Sequence, residues 1–226
     1  MNHPPDQTES GERRPGVMMA TSDWNRLWAR GLHNYNRMDR QRQASSRSTY
    51  VRWISQLLEG ANLAGGASIE LGCGTGLISR GLFDVLGLAS AVLVDFSAEA
   101  VALARVNAAD RNIRVVQTNV LDYPAIEKFD LCLSVGLVEH FQGDMLARVV
   151  RKHAELLKPA GHAVILAPRR GPVWPVLRVF NRLQGIREEP VRDQELVHLC
   201  GQNGLAVRRK SHYLLGMVVG IAAVRR

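Results

Sequence analysis

An acidic residue followed by closely spaced glycines is the part of this sequence with the most evident chemical use. An apolar run ends in an acid and passes directly into a glycine turn, reading Ile69-Glu70-Leu71-Gly72-Cys73-Gly74-Thr75-Gly76. Glycines allow a backbone to turn tightly and to approach a ligand where a Cβ would collide. The third glycine comes one position too early for the dinucleotide fingerprint G-x-G-x-x-G. The acid favours a neutral or cationic amino-acid cofactor over a pyrophosphate.

A second acid lies where a nucleoside could be bound. Asp95 ends the apolar run Val92-Leu93-Val94, 25 positions after Glu70, and Phe96 and Ser97 follow it. A carboxylate at such a strand end can accept hydrogen bonds from both hydroxyls of a ribose. The alternative is that Asp95 only places negative charge at the start of the next helix.

The elements that must position these residues alternate regularly from Ala67 onward. Short β-branched runs separated by helical patterns are typical of a parallel sheet with crossover helices. The predicted strands are 67–71, 91–95, 113–117, 129–135, 162–167, 205–212 and 216–224, and the predicted helices are 76–87, 97–109, 143–157 and 192–203. Ser97 is a natural helix N-cap, and Lys158-Pro159 ends the helix over 143–157.

The last two predicted strands define the fold class. Only Tyr213 to Leu215 separate them, which is too short for a crossover helix, so they must pair antiparallel. This hairpin distinguishes the chain from a dinucleotide-binding dehydrogenase. Helical segments near 23–31 and 37–59 should cap the carboxyl edge of the sheet. We therefore predict an α/β fold: a seven-stranded, mostly parallel sheet with a C-terminal antiparallel hairpin, helices on both faces and an N-terminal helical cap.

Residues 67–168 resemble the cofactor half of the class I methyltransferases that use S-adenosylmethionine. The resemblance rests on segments that occur in the family's order, namely IELGCGTG at 69–76, VLVDFS at 92–97, VQTNVLD at 116–122, FDLCLSVGLVEH at 129–140 and LKPAG at 157–161. The polar composition of residues 1–20, which include three Pro and two Gly, predicts a disordered tail, followed by a helical cap over 21–60 and a methyltransferase domain over 61–226. Within that domain, 170–186 reads as a lid-like insertion.

The resemblance also implies which residues bind S-adenosylmethionine, with S-adenosylhomocysteine as the product. Glu70 and the glycine turn would hold the methionine portion, Asp95 the ribose, and the segment at Asn119 the adenine amino group. Asn119 stands where the family more commonly has Asp, but its side-chain carbonyl can still accept a hydrogen bond. The predicted cofactor residues are Glu70, Gly72, Cys73, Gly74, Gly76, Asp95, Phe96, Asn119, Val120 and Ser134.

The candidate catalytic residues are His140 and Glu139, at the end of the fourth strand. Methyl transfer is an in-line displacement, so the protein must align the acceptor and remove a proton where necessary. An imidazole titrates close to neutrality, which makes His140 the best-placed candidate base. Alternatively, the histidine only orients a loop, or Glu139 binds a cationic acceptor.

Charge and cysteine content limit the other options. The net charge is +8, and residues 166–226 carry eleven Lys and Arg against four Asp and Glu, a local charge of +7. Most of the basic residues are Arg, which genomic base composition explains as well as anion binding does. Cys73, Cys132 and Cys200 are too scattered for disulfides or a zinc cluster, so no metal site is predicted. With no signal sequence and no transmembrane segment, we expect a cytoplasmic protein.

We therefore predict a methyltransferase acting on an oxygen, nitrogen or carbon atom of a small molecule. Val176, Leu177, Val179, Phe180 and Leu183 form an apolar face that is predicted to pack as a lid, with membrane-surface contact as the alternative. Arg169 and Arg170 favour an anionic acceptor. The basic C-terminal quarter supports a second interpretation, a tRNA or rRNA methyltransferase. A third is a non-catalytic protein that only binds the cofactor. The sequence does not predict the oligomeric state.

Overall fold

The computed structural model describes residues 16–19, 22–27, 49–171, 174–183 and 187–226. The strands are β1 (Ala67–Leu71), β2 (Ser90–Asp95), β3 (Ile113–Gln117), β4 (Phe129–Val135), β5 (Leu157–Pro168), β6 (Leu205–Tyr213) and β7 (Val218–Arg225). The helices are α1 (22–27), α2 (49–57), α3 (Leu77–Val85), α4 (Ala98–Ala108), α5 (Asp144–Leu156), α6 (Trp174–Leu183) and α7 (Asp193–Gln202), with a 3-10 helix at Val138–His140. Every strand predicted from Ala67 onward is present.

The seven strands form one sheet in the order β3-β2-β1-β4-β5-β7-β6. β7 is antiparallel to both of its neighbours, and the other strand pairs are parallel. This confirms the predicted fold class, including the hairpin of β6 and β7. The largest difference from the predicted strand ends is at β5, which begins at Leu157, directly after α5 ends at Leu156.

The sheet is buried on both faces, and its central strands are mostly apolar, with Ser68, Glu70 and Ser134 as buried polar exceptions. On one face α5 and α7 pack over Ile69, Val94, Cys132, Ile165 and Ile221. On the other face α2 and α3 pack over Leu131, Leu133, Val164 and Leu166, and α4 packs over Leu93. Because β1 pairs parallel with both β2 and β4, the carboxyl ends of these three strands lie together at one edge of the sheet.

Helix α2 lies on a face of the sheet and not at its carboxyl edge, which differs from the prediction for 37–59. Trp53 packs so closely on β7 that a Cβ at Gly220 would lie 2.7 Å from its ring. The Trp53 indole also donates a hydrogen bond to Ser211 Oγ at 2.7 Å. Helical spacing alone could not predict this, because it identifies an apolar side without identifying the surface that the side covers. Residues 28–48 lie outside the described part of the chain.

Residues 16–19 and α1 lie against the end of β4. Met18 N donates to the carbonyl of His140 at 2.9 Å, and the Trp24 ring meets the His140 ring edge-on at 4.7 Å. The predicted tail over 1–20 otherwise lies outside the described residues. Nowhere in the described ranges is a helix both long and apolar enough to cross a lipid bilayer.

Candidate active site

The glycine turn after β1 is held against the end of β2. Gly72 N and Cys73 N both donate to the carbonyl of Val94, at 2.8 and 3.0 Å. Gly72, Gly74 and Gly76 have φ values of 67°, 52° and 70°, which favour glycine. A Cβ on Gly76 would lie 2.5 Å from Leu93 Cδ1. The turn therefore requires glycine for both its conformation and its close packing.

Asp95 fixes the geometry of this turn from the neighbouring strand. Its Oδ2 accepts a hydrogen bond from Gly74 N at 2.9 Å, and its Oδ1 accepts from Ser97 N at 3.0 Å. Burial raises the pKa of this carboxyl, and its hydrogen bonds to Ser97 and Gly74 oppose that rise. An ionised carboxylate can accept about four hydrogen bonds, so it can still accept from hydroxyls of a ligand.

Glu70 places a buried carboxylate, one oxygen of which has no hydrogen-bond partner, next to the turn. Its side chain is buried, and Oε2 has no partner among the residues that the structure describes. Burial raises its pKa to about 7, and neighbouring Ser79 opposes this only in part. A buried carboxylate oxygen without a donor is costly, so a cationic ligand group at this position would remove the penalty. The predicted site thus fits a cofactor with an amino-acid portion.

Four other predicted cofactor residues, Asn119, Val120, Phe96 and Cys73, differ in their contacts and burial. Asn119 Oδ1 already accepts from Leu121 N at 3.0 Å, in a local turn that leaves one acceptor position on that oxygen. Val120 is buried, and the carbonyl of Phe96 accepts from Gln117 Nε2 at 3.4 Å. Burial raises the pKa of the Cys73 thiol well above its ordinary value, so this cysteine is not a nucleophile.

The Ser134 side chain is directed into the core and contacts α5. Its Oγ lies 2.9 Å from His153 Nε2, and His153 Nδ1 lies 2.8 Å from the Val149 carbonyl. Because a carbonyl only accepts, Nδ1 carries the proton and Ser134 donates to Nε2. Burial lowers the pKa of His153 to about 4, which keeps the ring neutral. Sequence reasoning missed His153, which reads as an ordinary helix residue.

The predicted catalytic pair lies in the 3-10 helix that follows β4. His140 Nδ1 is 3.0 Å from the carbonyl of Arg187, and burial lowers the pKa of the ring to about 4. Glu139 is also buried, and desolvation raises its pKa to about 8, with a contribution from Glu188. His140 is therefore neutral at physiological pH. Its partners Arg187 and Trp24 lie far away in the sequence, so no local motif could have predicted them.

The predicted lid contains α6, but its apolar side is partly open to solvent. Trp174 is buried, whereas Val179 and Leu183 are 60% and 82% exposed. The side chains of Val176, Leu177 and Phe180 lie outside the described set. Val179 and Leu183 are therefore exposed in this structure, and the lid role of this segment stays a prediction.

The two arginines predicted to favour an anionic acceptor are both paired. Arg169 Nε lies 2.9 Å from Asp193 Oδ1, and an Arg170 guanidinium nitrogen lies 2.9 Å from Glu189 Oε1. An acceptor anion would have to compete with these carboxylates. The two arginines therefore give weaker support to an anionic acceptor than the sequence suggested.

A basic groove of about 650 Å³ lies between α2 and β6, apart from the glycine turn. Its charged lining consists of Arg52, Arg208, Arg209 and Lys210. Arg209 is paired with Glu59 at 2.9 Å. None of the predicted site residues lines this groove, so it is a separate surface.

Comparison with known proteins agrees with this geometry. A family model described as a methyltransferase domain matches residues 69–161. A ubiquinone biosynthesis O-methyltransferase of Marinobacter nauticus is 26% identical over 125 residues, which is 53% of this chain and 51% of that protein. The chain thus matches about half the length of this curated relative.

Solved structures with the same fold cover more of the chain. Magnesium protoporphyrin IX methyltransferase from Synechocystis, with bound SAH, aligns with a TM-score of 0.68 at 18% identity, covering 91% of this chain and 94% of that one. Geranyl diphosphate C-methyltransferase from Streptomyces coelicolor, in complex with Mg²⁺, geranyl diphosphate and S-adenosyl-L-homocysteine, gives 0.65 at 16% identity and covers 79% of each chain. At these identities the likeness establishes the fold.

Proposed function

We propose that this chain, a member of the class I S-adenosylmethionine-dependent methyltransferases, transfers a methyl group to an oxygen, nitrogen or carbon atom of a small molecule. The observation that carries the proposal is the joined pair of strand ends. The glycine turn after β1 is bonded to Asp95 at the end of β2, beside the partnerless carboxylate oxygen of Glu70. When bound, the cofactor supplies a methyl group on a positively charged sulfur and leaves as S-adenosylhomocysteine.

In this proposal, different residues of the chain bind different parts of the cofactor. Glu70 pairs with the ammonium group of the methionine portion, which removes the cost of its buried oxygen. Asp95 accepts from the ribose hydroxyls with the lone pairs that Gly74 and Ser97 leave. Phe96, Asn119 and Val120 border the nucleoside base. Ser134 contributes through its backbone position, because its hydroxyl is bonded to His153.

The acceptor is proposed to bind at the end of β4, next to Glu139 and His140. Both side chains are buried, so contacts with an acceptor there would be little weakened by water. The pair orients the acceptor and takes its proton where the accepting atom carries one. A neutral His140 can receive a proton, but its lowered pKa makes it a weak base, and Glu139 is the stronger of the two.

Calorimetric titration with S-adenosylmethionine and S-adenosylhomocysteine tests the first half of the proposal, with NAD as the control ligand. We expect micromolar binding of the first two compounds and none of NAD. Methyl-labelled cofactor is then incubated with hydroxyl, amine and carbon acceptors, in the parent protein and in Glu139→Gln. Label transfer to one class, lost in the variant, supports the proposal. Tight cofactor binding without transfer to any class would instead favour a non-catalytic binding protein.

The basic groove favours one other acceptor, an RNA. Arg52, Arg208, Arg209 and Lys210 line a continuous surface that could follow a phosphate backbone. Retention on single-stranded RNA should then fall with salt, with a slope of about −0.7 for each phosphate neutralised. Replacing Arg208 and Lys210 by Ala should reduce this slope by about one to two units. Retention that these substitutions leave unchanged would rule out the groove as an RNA site.

A further inference from the structure

Three side chains that can ligate a metal ion converge beside the end of β4. Glu139, His140 and Glu188 each offer a ligand atom, and these atoms lie within 4.8 Å of one another. Glu139 and His140 belong to the 3-10 helix, whereas Glu188 comes from the segment that precedes α7. The backbone joins the two segments, since Glu189 N donates to the carbonyl of Glu139 at 2.9 Å. The convergence is therefore built into the fold.

One of the three groups is a buried carboxylate with an unmet hydrogen-bonding requirement. Glu139 is 2% exposed, and its Oε2 has no partner in the described ranges. Buried polar atoms are nearly always satisfied by protein, water or an ion. The free carboxylate oxygen, close to a second carboxylate and an imidazole, is the arrangement expected of a cation ligand.

The electrostatics of the cluster point the same way. Desolvation raises the pKa of Glu139 to about 8, and the nearby charge of Glu188 contributes to this rise. Two neighbouring carboxylates repel each other unless one is protonated or a cation lies between them. A bound divalent ion would supply a partner for the Glu139 oxygen and reduce the repulsion between the two carboxylates.

We propose that Glu139, His140 and Glu188 bind a divalent metal ion. Two carboxylates and an imidazole suit Zn²⁺ or Mn²⁺, because Mg²⁺ and Ca²⁺ prefer oxygen ligands only. Ligand atoms about 2.1 Å from a tetrahedrally coordinated ion lie about 3.4 Å apart, and the three candidate atoms lie within 4.8 Å of one another. The site therefore needs only small side-chain movements.

His140 is oriented as metal-binding histidines commonly are. Its Nδ1 lies 3.0 Å from the carbonyl of Arg187, so that nitrogen carries the proton and the lone pair of the neutral ring is on Nε2. A backbone carbonyl that accepts from the second ring nitrogen is a typical outer partner of a ligating histidine.

Three protein ligands leave coordination positions open for another molecule. With the acceptor bound at the end of β4, as in the proposed function on which this step rests, its oxygen atoms would complete the coordination. The acceptor class is then a molecule that presents a hydroxyl or carboxylate oxygen as a metal ligand. With the metal bound, Glu139 and His140 position the acceptor through the ion, and the proton-accepting role proposed above applies to the metal-free protein. Metal binding by the empty protein does not depend on this step.

Titration of chelator-treated full-length protein with Zn²⁺ and with Mn²⁺, followed by calorimetry, tests the site. We expect one bound ion per chain, and at least about a tenfold loss of affinity in Glu139→Gln and in Glu188→Gln. Glu189→Gln is the matched control, because Glu189 is adjacent but pairs with Arg170. Its affinity should equal that of the parent. Thermal unfolding verifies that each variant is folded. Substitution of Glu188 is less disruptive to folding than substitution of Glu139, because Glu188 is only half-buried.

Either result decides the proposal independently of the enzyme's activity. Binding that is absent, or equal in the parent and Glu188→Gln, overturns the site. Metal binding that follows the expected pattern in a protein that does not bind S-adenosylmethionine would support the site while refuting the proposed function. Cofactor binding without metal binding would refute the site and leave the proposed function intact.

Discussion

The Asp95 carboxylate accepts a hydrogen bond from Gly74 N at 2.9 Å, across the gap between two parallel strands. This contact gives Asp95 a role before any ligand arrives, because it holds the glycine turn in the conformation that a cofactor would meet. A ligand that binds to a prearranged turn does not bear the entropic cost of ordering it. The same residue is thus proposed both to shape the site and to contact the ribose.

Replacing Asp95 by Asn should weaken cofactor binding without preventing folding. The neutral amide loses charge-assisted hydrogen bonds worth about 1.5–3 kcal/mol each. We therefore expect the Kd for S-adenosylmethionine, measured by calorimetry, to rise by roughly 10–100-fold. Asp110→Asn, which removes an exposed carboxylate paired with Arg80, is the control and should bind like the parent. Equal affinities of the two variants would refute the role of Asp95.

Glu70 should make the stability of the ligand-free protein depend on pH. Burial raises its pKa from 4.5 to about 7, so between these values the folded protein keeps a proton that the unfolded chain has lost. The free energy of unfolding then falls as the pH rises through this window. Glu70→Gln removes this contribution, and its stability relative to the parent should increase by at most about 1.4 kcal/mol per pH unit. Urea unfolding from pH 4.5 to 7.5 measures the difference, and a constant difference would contradict a buried Glu70 carboxyl with a raised pKa.

Gly76→Ala should destabilise the protein more than an alanine at an open glycine with the same backbone conformation. Gly76 and Gly204 have φ values of 70° and 75°, so both substitutions carry a conformational cost of about 1–2 kcal/mol. Only at Gly76 would the new Cβ also collide, at 2.5 Å from Leu93 Cδ1, whereas nothing lies within 4 Å of one at Gly204. Overpacking adds about 1–3 kcal/mol. Urea unfolding of both variants should reveal this gap, and equal losses would mean that Leu93 moves freely.

Ser134→Ala should reduce stability but not cofactor affinity. The substitution leaves His153 Nε2 buried without a donor, at a cost of about 1–3 kcal/mol. Ser55→Ala is the control, because Ser55 only donates to the Val51 carbonyl within its own helix and is half-buried. We expect a larger loss for Ser134→Ala in chemical unfolding and a change of less than about threefold in the Kd for S-adenosylmethionine. A large loss of affinity at unchanged stability would instead indicate that the Ser134 hydroxyl contacts the cofactor.

The strands, and the position of Glu70 and Asp95 at one edge of the sheet, could be predicted because their signals are local. The central strands are short, mostly apolar runs, and Glu70 and Asp95 stand at or near the ends of two of them. Parallel pairing then brings their side chains to one edge without further information. The hairpin followed from the short connection between β6 and β7.

The remainder of the site depends on contacts between distant segments. Glu188 reaches Glu139 because the segment before α7 returns along the end of β5, where Val191 N donates to the carbonyl of Pro168. No pattern in the sequence specifies that return. Likewise His153 faces Ser134 only through the packing of α5 on β4. Helical periodicity predicts that α2 is a helix, but it does not predict whether the helix packs on a face of the sheet or at its edge.

The position of β7 has a consequence for how the chain acquires its fold during synthesis. β7 is the last strand in sequence order but lies inside the sheet, between β5 and β6. Until residue 225 has left the ribosome, β6 has no partner strand and β5 presents an open, hydrophobic edge. Unpaired edges of this kind are where nascent chains associate wrongly with one another. Completion of the sheet, and protection from such association, must therefore wait for the final strand to insert between two that already exist.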